Sequence, residues 1–115
     1  MLPRLTDDGR TVEIDLHGVR VDEALAWVRA VAAEAARRGR GTLRVVHGAP
    51  TSDPTTRNRT IRHALHDLLD SRGLGSAVTD SVRFEGYTLL SLAAGGRRDP
   101  APLTLAAVRP PTSPY

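Results

Sequence analysis

Thr11-Val12-Glu13-Ile14-Asp15-Leu16-His17-Gly18 and, some thirty residues on, Thr42-Leu43-Arg44-Val45-Val46-His47-Gly48 are the two stretches on which the fold of this chain turns. Each is a short apolar-rich run that ends in His-Gly, and each is followed by a helix-forming segment. The runs read as β-strands, Thr11 to Leu16 and Thr42 to Val46. Between them, Val21, Ala24, Leu25, Val28, Val31, Ala32 and Ala35 recur at steps of three and four, which predicts a helix over Val19 to Arg38. Gly39 and Gly41 stop it, with Arg37 and Arg38 in the last turn, where cations suit the helix dipole. Two strands joined through a helix lie parallel in one sheet, because the crossover is long enough to bring the chain back. Their C-terminal ends then open on the same edge. In open α/β sheets that edge is where ligands bind, beside helix N-termini that favour anions.

Working outward, Met1 to Arg10 reads as a polar lead-in with an Asp8-Gly9 turn. Gly48 to Ser52 is a loop. Asp53 stands as an N-cap with Pro54 at the first position of a second helix, which runs to about Ser71 and ends at Gly73. Its buried stripe is expected to be Ile61, Ala64, Leu65, Leu68 and Leu69. Val78 to Phe84 and Tyr87 to Ala93 form a hairpin about Glu85-Gly86. Gly95 to Pro102 reads as a loop, Leu103 to Val108 as a further edge strand, and Pro110 to Tyr115 as a mobile Pro-rich tail. The order is β-α-β-α-β-β. The expected class is therefore α/β, an α+β sandwich in which a mixed four-stranded sheet carries two helices on one face. The expected organisation is a lead-in over 1–10, a domain over 11–94, and a C-terminal loop, edge strand and tail over 95–115.

Composition narrows the classes. At 115 residues, 40% hydrophobic and 25% charged, the chain fits one globular domain. No apolar run approaches the ~18 residues of a membrane span, and the first residues show no apolar signal core. There is no cysteine, hence no disulfide and no thiolate metal site. A cytoplasmic location is the expectation. All the basic side chains are arginine, and the formal net charge is +3. Arginine forks onto phosphate oxygens with paired donors and stays charged. With one Phe, one Trp and two Tyr, no extended aromatic platform for stacking single strands is expected.

The chemistry concentrates at the strand ends. Asp15 and His17 are two apart on one strand and so share a face, where Asp15 can hold the imidazole in one tautomer. It can equally tie down the following loop by accepting backbone N–H bonds. His47 ends the neighbouring strand. Two imidazoles facing one phosphate can serve as general base and general acid, and Gly18 and Gly48 let backbone approach a ligand without a Cβ in the way. Zinc binding by two His and one Asp is the weaker option. His63 and His66 fall off the buried stripe and read as solvated. On the second helix Arg57, Arg59 and Arg62 crowd the first half while Asp67 and Asp70 lie near the end, against the dipole. A bound anion would offset that repulsion. Arg59, Arg62 and His66 share one polar face.

Asp15-Leu16-His17-Gly18, the helix opening Val21-Asp22-Glu23-Ala24-Leu25, and Val45-Val46-His47-Gly48 resemble the Smr (small MutS-related) domain family. The resemblance covers Thr11 to about Ala93. It implies a sandwich similar to the C-terminal half of translation initiation factor three, nucleic-acid binding and, for several members, endonuclease activity on DNA or RNA. Asp15, His17 and Gly18 match the family's first motif, and His47 and Gly48 the start of its second. Where the family has a second glycine this chain has Pro50, after Ala49, and Arg20 stands where a Thr cap is common.

Three readings stay open. The first is an endonuclease or nickase with Asp15, His17 and His47 at the chemistry. Gly18, Arg20, Gly48, Arg57, Arg59 and Arg62 would then hold the nucleic acid. No cofactor is expected, with Mg2+ the candidate metal if DNA is cleaved. The second is a non-catalytic module for structured DNA, structured RNA or ribosomal RNA, working beside a ribosome or a DNA-repair partner. The third is a small-molecule phosphate enzyme or an interaction domain.

Overall fold

A computed structural model describes residues 2–48, 57–93 and 98–108, the side chains of 57–60 excepted. The elements are β1 (Arg4–Asp7), β2 (Thr11–Asp15), α1 (Val21–Arg37), β3 (Thr42–Val46), α2 (Arg57–Asp70), a 3-10 turn (Gly75–Ala77), β4 (Val78–Arg83), β5 (Tyr87–Leu92) and α3 (Leu105–Val108). The strands form one mixed sheet in the order β1-β2-β3-β5-β4. As expected, β2 and β3 are parallel, in a register that sets Asp15 beside Val46. The β4–β5 hairpin returns so that β5, not β4, lies antiparallel to β3.

The sheet is two-faced because its strands alternate. Val12 and Ile14, Leu43 and Val45, and Leu90 and Leu92 point to one side and are buried. On that side α1 contributes Ala24, Trp27, Val28, Val31, Ala32 and Ala35, and α2 contributes Ile61, Leu65 and Leu68. Both helices therefore cover one face, as the apolar spacing requires. Ala64 and Leu69 are half-buried at the stripe's margin. The opposite face has no helix over it among the described residues and carries Glu13, Asp15, Arg44, Val46, Tyr87 and Leu89.

Two expectations change. The polar lead-in contains a fifth strand, β1, antiparallel to β2. It is short, and its charged residues hide the alternation of a half-buried edge strand. Residues 103–108 form no strand: Leu105–Val108 is one turn of helix packed on α1, and Leu103 and Val108 are buried in the core. The loop and N-cap expected at Ala49 to Pro54, including Pro50, lie outside the described residues, as does the tail from Pro110 to Tyr115.

One buried ion pair joins these flanks to the core. The Asp7 and Arg40 side chains have no solvent exposure, and Arg40 Nε donates to Asp7 Oδ1 at 2.9 Å. Arg40 Nη2 donates to Asp7 Oδ2 at 2.9 Å and to the Ala101 carbonyl at 2.9 Å. Arg40 Nη1 donates to the carbonyls of Arg38 and Asp99. Asp7 also accepts the main-chain N–H groups of Leu103 and Gly9. Burial pushes the Asp7 carboxyl up, but these hydrogen bonds and the guanidinium charge outweigh it and hold the group below the ordinary carboxylate value. Every donor and acceptor of the pair visible here is used, which is the condition for tolerating a buried charge.

Candidate functional site at the sheet's C-terminal edge

The parallel ladder of β2 and β3 continues one step past the strands, with Leu16 N–H donating to the Val46 carbonyl at 2.8 Å. The two His-Gly pairs thus leave the sheet side by side. Gly18 (φ +82°) and Gly48 (φ +87°) both take left-handed backbone, which ends the extended chain at each strand end. The hairpin turn closes the same edge: the Gly86 carbonyl accepts the main-chain N–H groups of His47 at 3.2 Å and Gly48 at 3.0 Å.

The two histidines then diverge. His17 is exposed, and its main-chain N–H donates to Asp15 Oδ1 at 3.0 Å. Asp15, half-buried at the end of β2, thereby fixes the turn that presents His17. This is the loop-tying role weighed against ring orientation above. His47 is fully buried. Its Nδ1 lies 3.0 Å from the Gly48 carbonyl and its Nε2 lies 3.0 Å from Thr88 Oγ1. A carbonyl can only accept, so Nδ1 carries the proton, and the neutral ring accepts the Thr88 hydroxyl at Nε2. Burial pushes the His47 imidazole down, the Gly48 hydrogen bond pushes it up, and the nearby Arg62 charge pushes it down; the balance is below the ordinary value. The expectation that both imidazoles project into one cleft is not met. The register brings the strand ends together, but the side chain of residue 47 falls on the helix-covered side.

His66 is the residue that sequence reasoning misplaced. It is half-buried, and its ring meets that of His47 edge-on at 6.1 Å between centroids. Burial, then the charges of Arg83, Arg62 and His47, push its imidazole down to about 4 against a smaller opposing effect of Asp70. Among the described residues, His66 Nε2 and Arg62 Nε are both buried without a hydrogen-bond partner. The polar face of α2 is therefore partly an interior face at this end. Helical spacing places His66 off the apolar stripe but cannot show that the buried His47 ring meets it from the sheet. His63 is exposed, as expected.

Arg20 is exposed at the N-cap of α1 without a side-chain cap bond, 3.7 Å from Asp22. Arg57 and Arg59 lie in the first turn of α2, with side chains outside the described residues. No acidic residue stands in that turn. Among the described residues no three His, Asp or Glu side chains gather closely enough to hold a metal ion, and no helix is long and apolar enough to cross a membrane.

Comparison with known proteins agrees with this geometry. A family model described as the Smr domain matches residues 14–88, well over half the chain. The crystal structure of the Smr domain of Thermus thermophilus MutS2 superposes with a TM-score of 0.56 at 29% identity, covering 70% of this chain and 95% of that one. No curated protein sequence matches the chain.

Proposed function

The chain belongs to the Smr domain family, and from that premise we propose that it binds nucleic acid at the C-terminal edge of its sheet. The observation that carries the reading is the juxtaposition at that edge. An exposed His17 is held on a turn pinned by Asp15 at the same sheet edge as the left-handed Gly18 and Gly48, and the helix that follows in the chain, α2, opens with arginines and no acid. Phosphate is the ligand such a rim suits: backbone can approach it at Gly18 and Gly48, and Arg20, Arg57, Arg59 and Arg62 supply guanidinium charge.

The finer reading is phosphodiester cleavage. On RNA, His17 takes the proton of a 2′-hydroxyl as that oxygen attacks the adjacent phosphorus and the 5′-oxygen leaves. Arginine stabilises the charge that builds on the phosphoryl oxygens. His47, fully buried, acts in this scheme by position: its Gly48 and Thr88 bonds hold the second turn in place. The reading requires no step at a metal. Purified protein on labelled hairpin RNA, with Mg2+ or with EDTA, is expected to give cleavage that His17→Ala abolishes while binding persists; branched DNA, which has no 2′-hydroxyl, is the comparison substrate. Cleavage at an unchanged rate in that variant removes His17 from the chemistry.

Non-catalytic binding is the second reading, and the burial of His47 favours it, because only one imidazole of the pair reaches solvent. Binding without cleavage in every lane selects it. In either case affinity falls steeply with salt, since phosphate contacts release counterions. No binding to any nucleic acid at low salt removes both readings.

A further inference from the structure

The helix-free face of the sheet carries a feature that the edge site does not use. Phe84 and Tyr87, which flank the hairpin turn, stack with ring centroids 4.6 Å apart and an interplanar angle of 18°. The Arg44 guanidinium carbon lies 4.2 Å from the Tyr87 ring centroid. Cation, phenol ring and phenyl ring thus form one group, with Phe84 as its most exposed ring (39%). Val82, two residues earlier on the same face of β4, is 51% exposed. Apart from Leu2, these are the large apolar side chains most open to solvent among the described residues. Arg44 Nε also lies 3.4 Å from Glu13 Oε1 on the neighbouring strand, an ion pair without a hydrogen bond.

The register ties this group to the proposed phosphate site. Asp15 pairs with Val46, Val46 pairs with Tyr87, and Phe84 N–H donates to the Tyr87 carbonyl. The four residues therefore form one row across four adjacent strand positions. At ~4.8 Å between neighbouring strands, Phe84 stands roughly 14 Å from Asp15. That span corresponds to two or three nucleotides of an extended strand.

We propose that the Phe84–Tyr87–Arg44 group is a base-stacking site for an unpaired nucleotide, set two or three nucleotides along the strand from the phosphate held near His17. The proposal rests on the nucleic-acid reading above and deepens it from structured nucleic acid in general to a substrate with a single-stranded segment. A flat, exposed ring backed by another ring and a guanidinium suits a nucleobase, whose π face adds to the stack without demanding a particular sequence. A base inside a duplex is covered on both faces by its neighbours and cannot reach it. The aromatic residues are too few for an extended platform, but two of them gathered in one place suffice for a single base.

The test is fluorescence anisotropy with three labelled probes: a ten-nucleotide thymidine strand, a strand of the same length built of abasic sites, and a blunt duplex. The thymidine strand is expected to bind at least fivefold tighter than the abasic one. Phe84→Ala is expected to erase that preference, a loss of roughly five- to hundredfold on the thymidine strand, and to leave duplex affinity within twofold. Phe84→Trp retains the preference and Phe84→Leu, which keeps apolar surface without a ring, does not. Equal binding of thymidine and abasic strands by the unaltered protein, or a preference that survives Phe84→Ala, overturns the stacking site while leaving the phosphate site standing. A dimer in sedimentation velocity that dissociates in Phe84→Ala overturns it too, by assigning the face to a second copy. Failure of all three probes to bind at low salt is a failure of the nucleic-acid reading itself, and the stacking site falls with it.

Discussion

Removing the Asp7 carboxylate is the sharpest perturbation this fold offers. Asp7→Ala leaves the fully buried Arg40 guanidinium hydrogen-bonded to carbonyl oxygens alone, with only the weaker charges of Asp99 and Asp8 to offset it. It also strips the acceptor from the main-chain N–H groups of Leu103 and Gly9. Breaking a buried pair from one side costs about 3–5 kcal/mol, a large part of the ~5–15 kcal/mol that holds a domain of this kind together. At about 4 °C per kcal/mol for a chain of this length, the melting temperature should fall by roughly 12–20 °C. Circular dichroism melts at pH 7 measure it, with Glu13→Gln as the control. That partner of Arg44 is about two-fifths exposed, and its loss is worth at most ~1 kcal/mol. Asp7→Leu combined with Arg40→Met removes both charges and should recover much of the loss, because an apolar pair has no desolvation penalty to offset. The pH dependence follows from the lowered Asp7 value. Stability from a depressed carboxylate is fully present above the ordinary value near 4 and is lost as pH falls through the folded-state value below it. Asp7→Ala should lack that acid-labile share. An Asp7→Ala melt within 3 °C of the unaltered protein would refute the reasoning, as would a double variant no more stable than the single one.

Between pH 6.5 and about 4 the unfolded chain binds protons that the folded His66 does not, so stability should fall as pH drops through that window; urea titrations should show the slope flattened in His66→Gln, and an unchanged slope would discount the burial of that ring. Thr88→Val keeps the shape of the side chain but takes the hydroxyl from His47 Nε2, so chemical denaturation should register a loss of about 1–3 kcal/mol for the orphaned acceptor. Gly39 sits at φ +80°, where an added Cβ would come within 3.0 Å of the Arg98 main chain. Gly39→Ala should therefore cost about 1–3 kcal/mol, whereas Gly75→Ala has the backbone strain without the neighbour and should cost less.

Most of the scaffold was legible in the residues. The bounds of β3 follow from Thr42 to Val46, the apolar spacing of α1 and α2 sets their buried faces, and Glu85-Gly86 marks the hairpin. Asp15, His17, Gly18 and Gly48 could be placed at one sheet edge because a strand-helix-strand unit permits only one handedness and one open end. What the sequence could not decide depends on which distant elements meet. Arg4-Leu5-Thr6-Asp7 becomes a strand only because β2 offers a free edge and Arg40 a buried charge for Asp7 to neutralise. His47 is inside rather than at the rim because β5 inserts next to β3 and brings Thr88 to its ring. Phe84, Tyr87 and Arg44 form one group through cross-strand register, a relation between residues some forty positions apart in the chain. Local patterns are written in the chain because helix and strand periods act over a few residues. Burial, tautomer and ring stacking arise from contacts across the sheet, and those exist only once the chain has folded.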